Sequence, residues 1–155
     1  MKNNDYDRNI FKYGNNLLKS RLNGAILMGS KYGQIDIKLT PSQTYSFVIY
    51  EKDCSKPIKD QLITVGFYFD NKNMEDYVVT LDGLSGNKDE SHQFTFLGKE
   101  KKTVQHTGFL RKDSDFFSIK VQALPGKYPT FSLGFVKVNI GETNSKYSLD
   151  PESIK

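Results

Sequence analysis

The chain has 155 residues, 37% of them hydrophobic, with 22 Lys and Arg against 18 Asp and Glu for a formal charge of +4. That length supports one domain with one core, and so mild a charge, with both signs interspersed, calls for no nucleic-acid partner. A single cysteine, Cys54, excludes an internal disulfide and cysteine-rich zinc motifs, and it tilts the expected location towards the cytoplasm.

Residues 1–24 read as a polar arm with a short helical or irregular segment. Ile10, Phe11, Leu17, Leu18 and Leu22 recur at rough helical spacing, and Asn23-Gly24 supplies a stop. The apolar run from Gly24 to Gly29 is too short for a signal segment or a membrane span. From Ala25 the period changes to two. Gln34 to Leu39 alternates cleanly, Thr40-Pro41-Ser42 interrupts it, and Thr44 to Tyr50 resumes with Tyr45, Phe47 and Ile49 on one face. The spacing predicts a hairpin of these two strands. A charged loop, Glu51 to Asp60, then leads into Leu62 to Phe69.

That stretch, LITVGFYF, is apolar at both alternating sets of positions and is the expected central strand, buried on one face and partly covered on the other. Beyond a turn at Asp70 to Asn73, Tyr77 to Leu81, His92 to Leu97, Thr103 to Leu110 and Phe116 to Val121 each read as strands. Thr130 to Ile140 is the last. Its apolar parity switches between Phe131, Leu133 and Phe135 and Val136, Val138 and Ile140, so a bulge is expected beside Gly134. Residues 142–155 form a polar tail.

About eight or nine short strands without a crossover helix predict an all-β antiparallel sandwich over residues 25–141, of jelly-roll, C2-like or immunoglobulin-like type. The expected core includes Ile37, Phe47, Val65, Phe67, Val79, Phe94, Ile119 and Leu133.

Chemistry is sparse. The two histidines, His92 and His106, stand in polar strand contexts that suit surface residues, and the chain lacks the short motifs of serine hydrolases, P-loop enzymes, dinucleotide binders and zincins. No catalytic, cofactor-binding or metal-ligating residue is expected. The acidic turns at Asp70 to Asp76, Asp89-Glu90 and Asp113 to Asp115 carry lysines or arginines among them, which oppose calcium. Tyr45, Tyr50, Tyr68, Tyr77 and Tyr128 are candidate sugar platforms, and equally candidate core-edge residues.

Apolar residues on both strand faces imply cover by the N-terminal segment or by another protein. Tyr68, Phe116, Phe11 and Leu18 are the candidate interface. The leading expectation is therefore a non-enzymatic subunit acting through protein contacts, as a structural or adaptor component of an assembly or by self-association. A ligand-binding module for carbohydrate, or for calcium-dependent membrane contact, is the alternative. An enzyme using an unadvertised carboxylate pair is the second alternative.

Overall fold

A computed structural model describes residues 9–12, 15–31, 33–85 and 91–142. Residues 1–8, 13 and 14 of the expected arm, the expected tail beyond residue 142 and the Asp89-Glu90 turn lie outside the described residues. Those residues hold one α-helix, α1 (Asn15–Ser20), closed by Asn23 and Gly24 in the left-handed region at φ 47° and 89°, and a single 3-10 turn at Glu51–Asp53. Ten strands follow: β1 (Ile26–Lys31), β2 (Gln34–Lys38), β3 (Thr44–Tyr50), β4 (Leu62–Asn71), β5 (Tyr77–Asp82), β6 (Leu84–Ser85), β7 (Ser91–Phe96), β8 (Lys101–Leu110), β9 (Phe116–Gln122) and β10 (Thr130–Ile140). Every pairing is antiparallel. A six-stranded sheet runs β1-β2-β10-β4-β8-β6 and a four-stranded sheet runs β3-β9-β5-β7. The fold is an antiparallel β-sandwich, and among the described residues no helix is long and apolar enough to cross a membrane.

The alternation in each strand assigns its inward face. Ile35 and Ile37 on β2, Val65 and Phe67 on β4, and Leu133 and Val138 on β10 meet Phe47, Val79 and Phe117 from the other sheet, all fully buried. Of the expected core, Phe94 alone is only partly buried, because it lies on β7, an edge strand. The strand expected at the centre, β4, lies between β10 and β8. Its outward side is Thr64 and Gly66, both buried, with Tyr68 half-buried.

The predicted hairpin does not form. β2 pairs with β1 and β10, whereas β3 pairs with β9 in the opposite sheet. At the turn between them Ser42 takes φ 63° and Gln43 N–H donates to Thr40 O at 3.0 Å. Leu39 N–H is then bonded to Pro129 O in one sheet, and Gln43 O accepts Ala123 N–H in the other. Period two states which side chains share a face but not which strand lies alongside. Here the apolar faces of β2 and β3 confront each other across the core instead of lying side by side.

The bulge in β10 forms where the parity switch places it. Its register with β4 shifts between Gly134 and Lys137, with Phe135 at φ 51°. Leu133 and Val136 thereby both reach the core at 0% exposure. Gly134 is required at this point, since a Cβ there would stand 2.4 Å from Gly33 O.

The N-terminal segment is part of the core. Asn9 accepts Val138 N–H at its Oδ1 and donates Nδ2 to Val136 O at 3.1 Å. Ile10 N–H bonds Val138 O at 2.7 Å and Ile10 O accepts Ser55 N–H at 2.7 Å. Asn9 to Lys12 thus straps β10 to the loop after β3, and it seats Ile10 and Phe11 at 0% and 1% exposure.

Candidate functional site

The outward residues of the four-stranded sheet form a polar lattice whose rows follow from register. Ser46, Lys120, Thr80 and Gln93 lie side by side across β3, β9, β5 and β7, and Val48, Ser118, Asp82 and Ser91 form the adjoining row. A cleft of about 540 Å³ crosses this face, with Thr80, Gln93 and Lys120 at its middle, Asp82 and Ser91 at one end, and Val78 and Leu124 beside Asp76 and Gln122 at the other. Lys120 Nζ stands 3.0 Å from Asp82 Oδ2, and Arg111 reaches within 3.7 Å of Asp82 Oδ1. One carboxylate held by two cations, beside an amide and a hydroxyl, offers donors and acceptors on a rigid floor.

Beyond the polar rows, on the same outward face, Tyr50 pairs with Phe116. The rings are 5.8 Å apart and tilted by 53°. Tyr50 is hemmed in by the Arg21 guanidinium at 5.4 Å and the Lys52 ammonium at 5.3 Å. Arg21 is itself fixed, with bonds of 2.8 and 2.7 Å to the Asp53 carboxylate and one of 3.0 Å to Val48 O. Phe116, 41% exposed, is therefore the ring this end presents.

The other tyrosines serve elsewhere. Tyr45 and Tyr77 point inward at 1% and 3% exposure. Burial raises the Tyr45 hydroxyl well above its usual range while it donates to Arg21 O at 3.0 Å. Tyr128 is exposed at a loop beneath Lys38, and Tyr68 packs on Phe135 outside the six-stranded sheet, with ring centroids 5.9 Å apart. Of the four interface candidates, Tyr68 and Phe116 do face outward, on opposite sheets. Phe11 and Leu18, at 1% and 0% exposure, are enclosed by the chain itself and present no surface to a partner.

The turn from Asp70 to Asp76 spends its polar groups internally. Fully buried Asn71 donates Nδ2 to Glu75 O, Phe96 O and Leu97 O, while its Oδ1 accepts from Asn73. Glu75 pairs with Lys127 at 3.1 Å, which holds its carboxyl below the usual range, and Asp76 accepts Gly98 N–H. Among the described residues no three His, Cys, Asp or Glu side chains converge as metal ligands.

His92 is exposed, as expected of a surface residue, but it is not solitary. It stacks on half-buried His106 with centroids 4.2 Å apart and planes 11° from parallel, across the seam between β7 and β8. Burial, and then the neighbouring His92, lower the His106 pKa from 6.5. The unfolded chain therefore takes up a proton that the folded chain resists. This stabilisation is complete above pH 6.5 and is lost as the pH falls from there through the depressed folded value. Thermal melts should accordingly show wild type losing more stability than His106→Phe between about pH 7.5 and 5, where an unperturbed imidazole titrates. Equal losses would mean that the pair does not carry this dependence.

No protein-family model matches the chain, and no curated protein sequence matches it. Solved structures do. One described as "CBM4 structure and function" superposes with a TM-score of 0.51 at 15% identity, covering 90% of this chain and 99% of that one. The family 11 carbohydrate-binding module of the Clostridium thermocellum cellulosomal cellulase Lic26A-Cel5E follows at a TM-score of 0.46 and 14% identity, covering 79% and 86%. TmCBM61 in complex with β-1,4-galactotriose gives 0.45 at 14% identity, covering 74% of each chain. The first of these likenesses places the chain in the β-sandwich class.

Proposed function

We propose that the domain is a glycan-binding module, acting by binding and not by catalysis, with its ligand seated across the outer face of the four-stranded sheet. The observation that carries the reading is the cleft at Thr80, Gln93, Lys120 and Asp82. A sugar hydroxyl donates and accepts at once, so it is best met by acceptors and donors fixed side by side, as Asp82 and Lys120 are. Phe116 adds an exposed ring for the C–H face of a sugar at one end. The fold supports the same reading, because the CBM4 structure is matched along almost its whole length.

Native electrophoresis through gels containing mixed-linkage β-glucan, xylan or galactan tests the proposal. At least one polysaccharide should retard the wild type, and Lys120→Met or Gln93→Ala should weaken that binding about tenfold each, the loss of one or two well-placed hydrogen bonds. Retardation by none, or variants that migrate as wild type in every gel, would remove the cleft as a binding site.

Action through protein contacts is a second reading, favoured by β1. This edge strand exposes Ile26, Leu27 and Met28, and an apolar edge is where another chain pairs. A native mass above that of one chain is its expected signature.

A further inference from the structure

We propose that the end of the sandwich formed by the β4–β5, β7–β8 and β9–β10 connections is a membrane-contact tip, which sets Met74 and Leu97 into an anionic bilayer surface and lysines against its phosphates. The proposal does not depend on what the cleft binds. Both ends of the sandwich are made of loops, but they differ in what they expose. At this end Met74 is 77% exposed, Tyr128 61%, Leu97 55% and Leu124 37%. In the connections at the other end, residues 51–61 and 111–115, no large apolar side chain is exposed. Apolar side chains gathered in solvent at one end of a domain mark a contact surface.

The three connections are locked to one another at Asn73, whose carbonyl oxygen accepts Lys99 N–H at 2.8 Å and whose Oδ1 accepts Thr130 N–H at 3.0 Å. Gly98 lies so close to Met74 that a Cβ there would stand 2.1 Å from the Met74 carbonyl oxygen. The backbones that carry Met74 and Leu97 are thus held side by side, and their exposure is not the slack of a loose loop. The acids of these loops are turned onto the loops' own donors. Glu100 Oε1 accepts Leu97 N–H at 2.9 Å, Asp76 Oδ1 accepts Gly98 N–H at 2.8 Å, and Glu75 meets Lys127. Lys99, by contrast, donates Nζ to Lys72 O at 2.8 Å and meets no carboxylate among the described residues, while exposed Lys72 comes only within 3.8 Å of Asp36. Apolar side chains flanked by ammonium groups match a bilayer surface, where hydrocarbon lies just behind a layer of phosphates. Tyr128, with Lys38 over its ring, suits the headgroup level of the same surface. Protein interfaces are depleted in lysine, and a sugar asks for flat rings, which Met74 and Leu97 do not offer.

Cosedimentation of the full chain with vesicles tests the tip, using phosphatidylcholine alone and phosphatidylcholine mixed in equal parts with phosphatidylserine, both in the presence of EDTA. Wild type should pellet with the mixed vesicles without calcium, and less so as salt is raised. Replacing Met74→Ser and Leu97→Ser together should weaken that binding at least about tenfold, and Lys99→Ala should weaken it about fivefold. All three side chains lie in solvent and none lines the cleft, so these variants should melt with wild type and migrate as wild type in the polysaccharide gels. Wild type that pellets with neither vesicle overturns the proposal, and so does a Met74→Ser, Leu97→Ser variant that pellets as wild type. A raised native mass that this variant abolishes, with no vesicle binding by wild type, would overturn it in favour of a protein partner. Vesicle binding by a wild type that no polysaccharide retards would remove the cleft and leave the tip standing.

Discussion

A chain beginning at Asn23 should not hold the native fold under conditions where the full chain does. The truncation removes Ile10, Phe11 and Leu18, all at 0% or 1% exposure. Each such side chain contributes roughly 1.5 to 3 kcal/mol by its burial, so together they approach the whole stability of an ordinary domain, about 5 to 15 kcal/mol. It also removes Arg21, leaving Asp53, itself 8% exposed, without the guanidinium that engages both its oxygens. Denaturant unfolding together with binding of a hydrophobic dye checks this. A truncated chain that unfolds at the same midpoint as the full one and binds no dye would show that the strap is dispensable.

The second large effect is expected at the centre of the six-stranded sheet. Phe67 is fully buried, and its ring meets Phe94 of the other sheet edge-on, with centroids 5.8 Å apart. Phe67→Ala should cost about 3 to 5 kcal/mol, through lost burial and the cavity left between two sheets that cannot close onto it. Chemical denaturation measures the difference directly. A loss under about 1 kcal/mol would mean that this ring is not enclosed as described.

Where alternation alone decides structure, the sequence was informative. Gln34 to Leu39 and Phe116 to Val121 follow their strands, and the parity switch at Gly134 predicted the bulge in β10. It said less about partners, which is why β2 and β3, adjacent in sequence and each with one apolar face, read as a hairpin while they belong to opposite sheets. β1 was obscure for a different reason. An edge strand leaves Ile26 and Met28 in solvent, so its residues carry no alternation to detect. The cleft was invisible because Thr80, Lys120 and Gln93, taken singly, are the ordinary wet face of three strands. Only the pairing of β9 with β5 and of β5 with β7 sets them in one row. Similarly, nothing in the separation of His92 from His106 announces a stack.

The place of β10 also bears on how the chain reaches its fold. Among the described residues β10, last in chain order, lies between β2 and β4, so until Thr130 to Ile140 has docked the larger sheet lacks its middle, and the apolar faces of Ile35, Ile37, Val65 and Phe67 have no completed sheet to sit in. Contacts between segments so distant in the chain close late and slowly, on the millisecond-to-second scale typical of β-sandwiches. Until β10 docks, the half-built sheet edges of β2 and β4 are open to aggregation, and its insertion between them is the step that closes them.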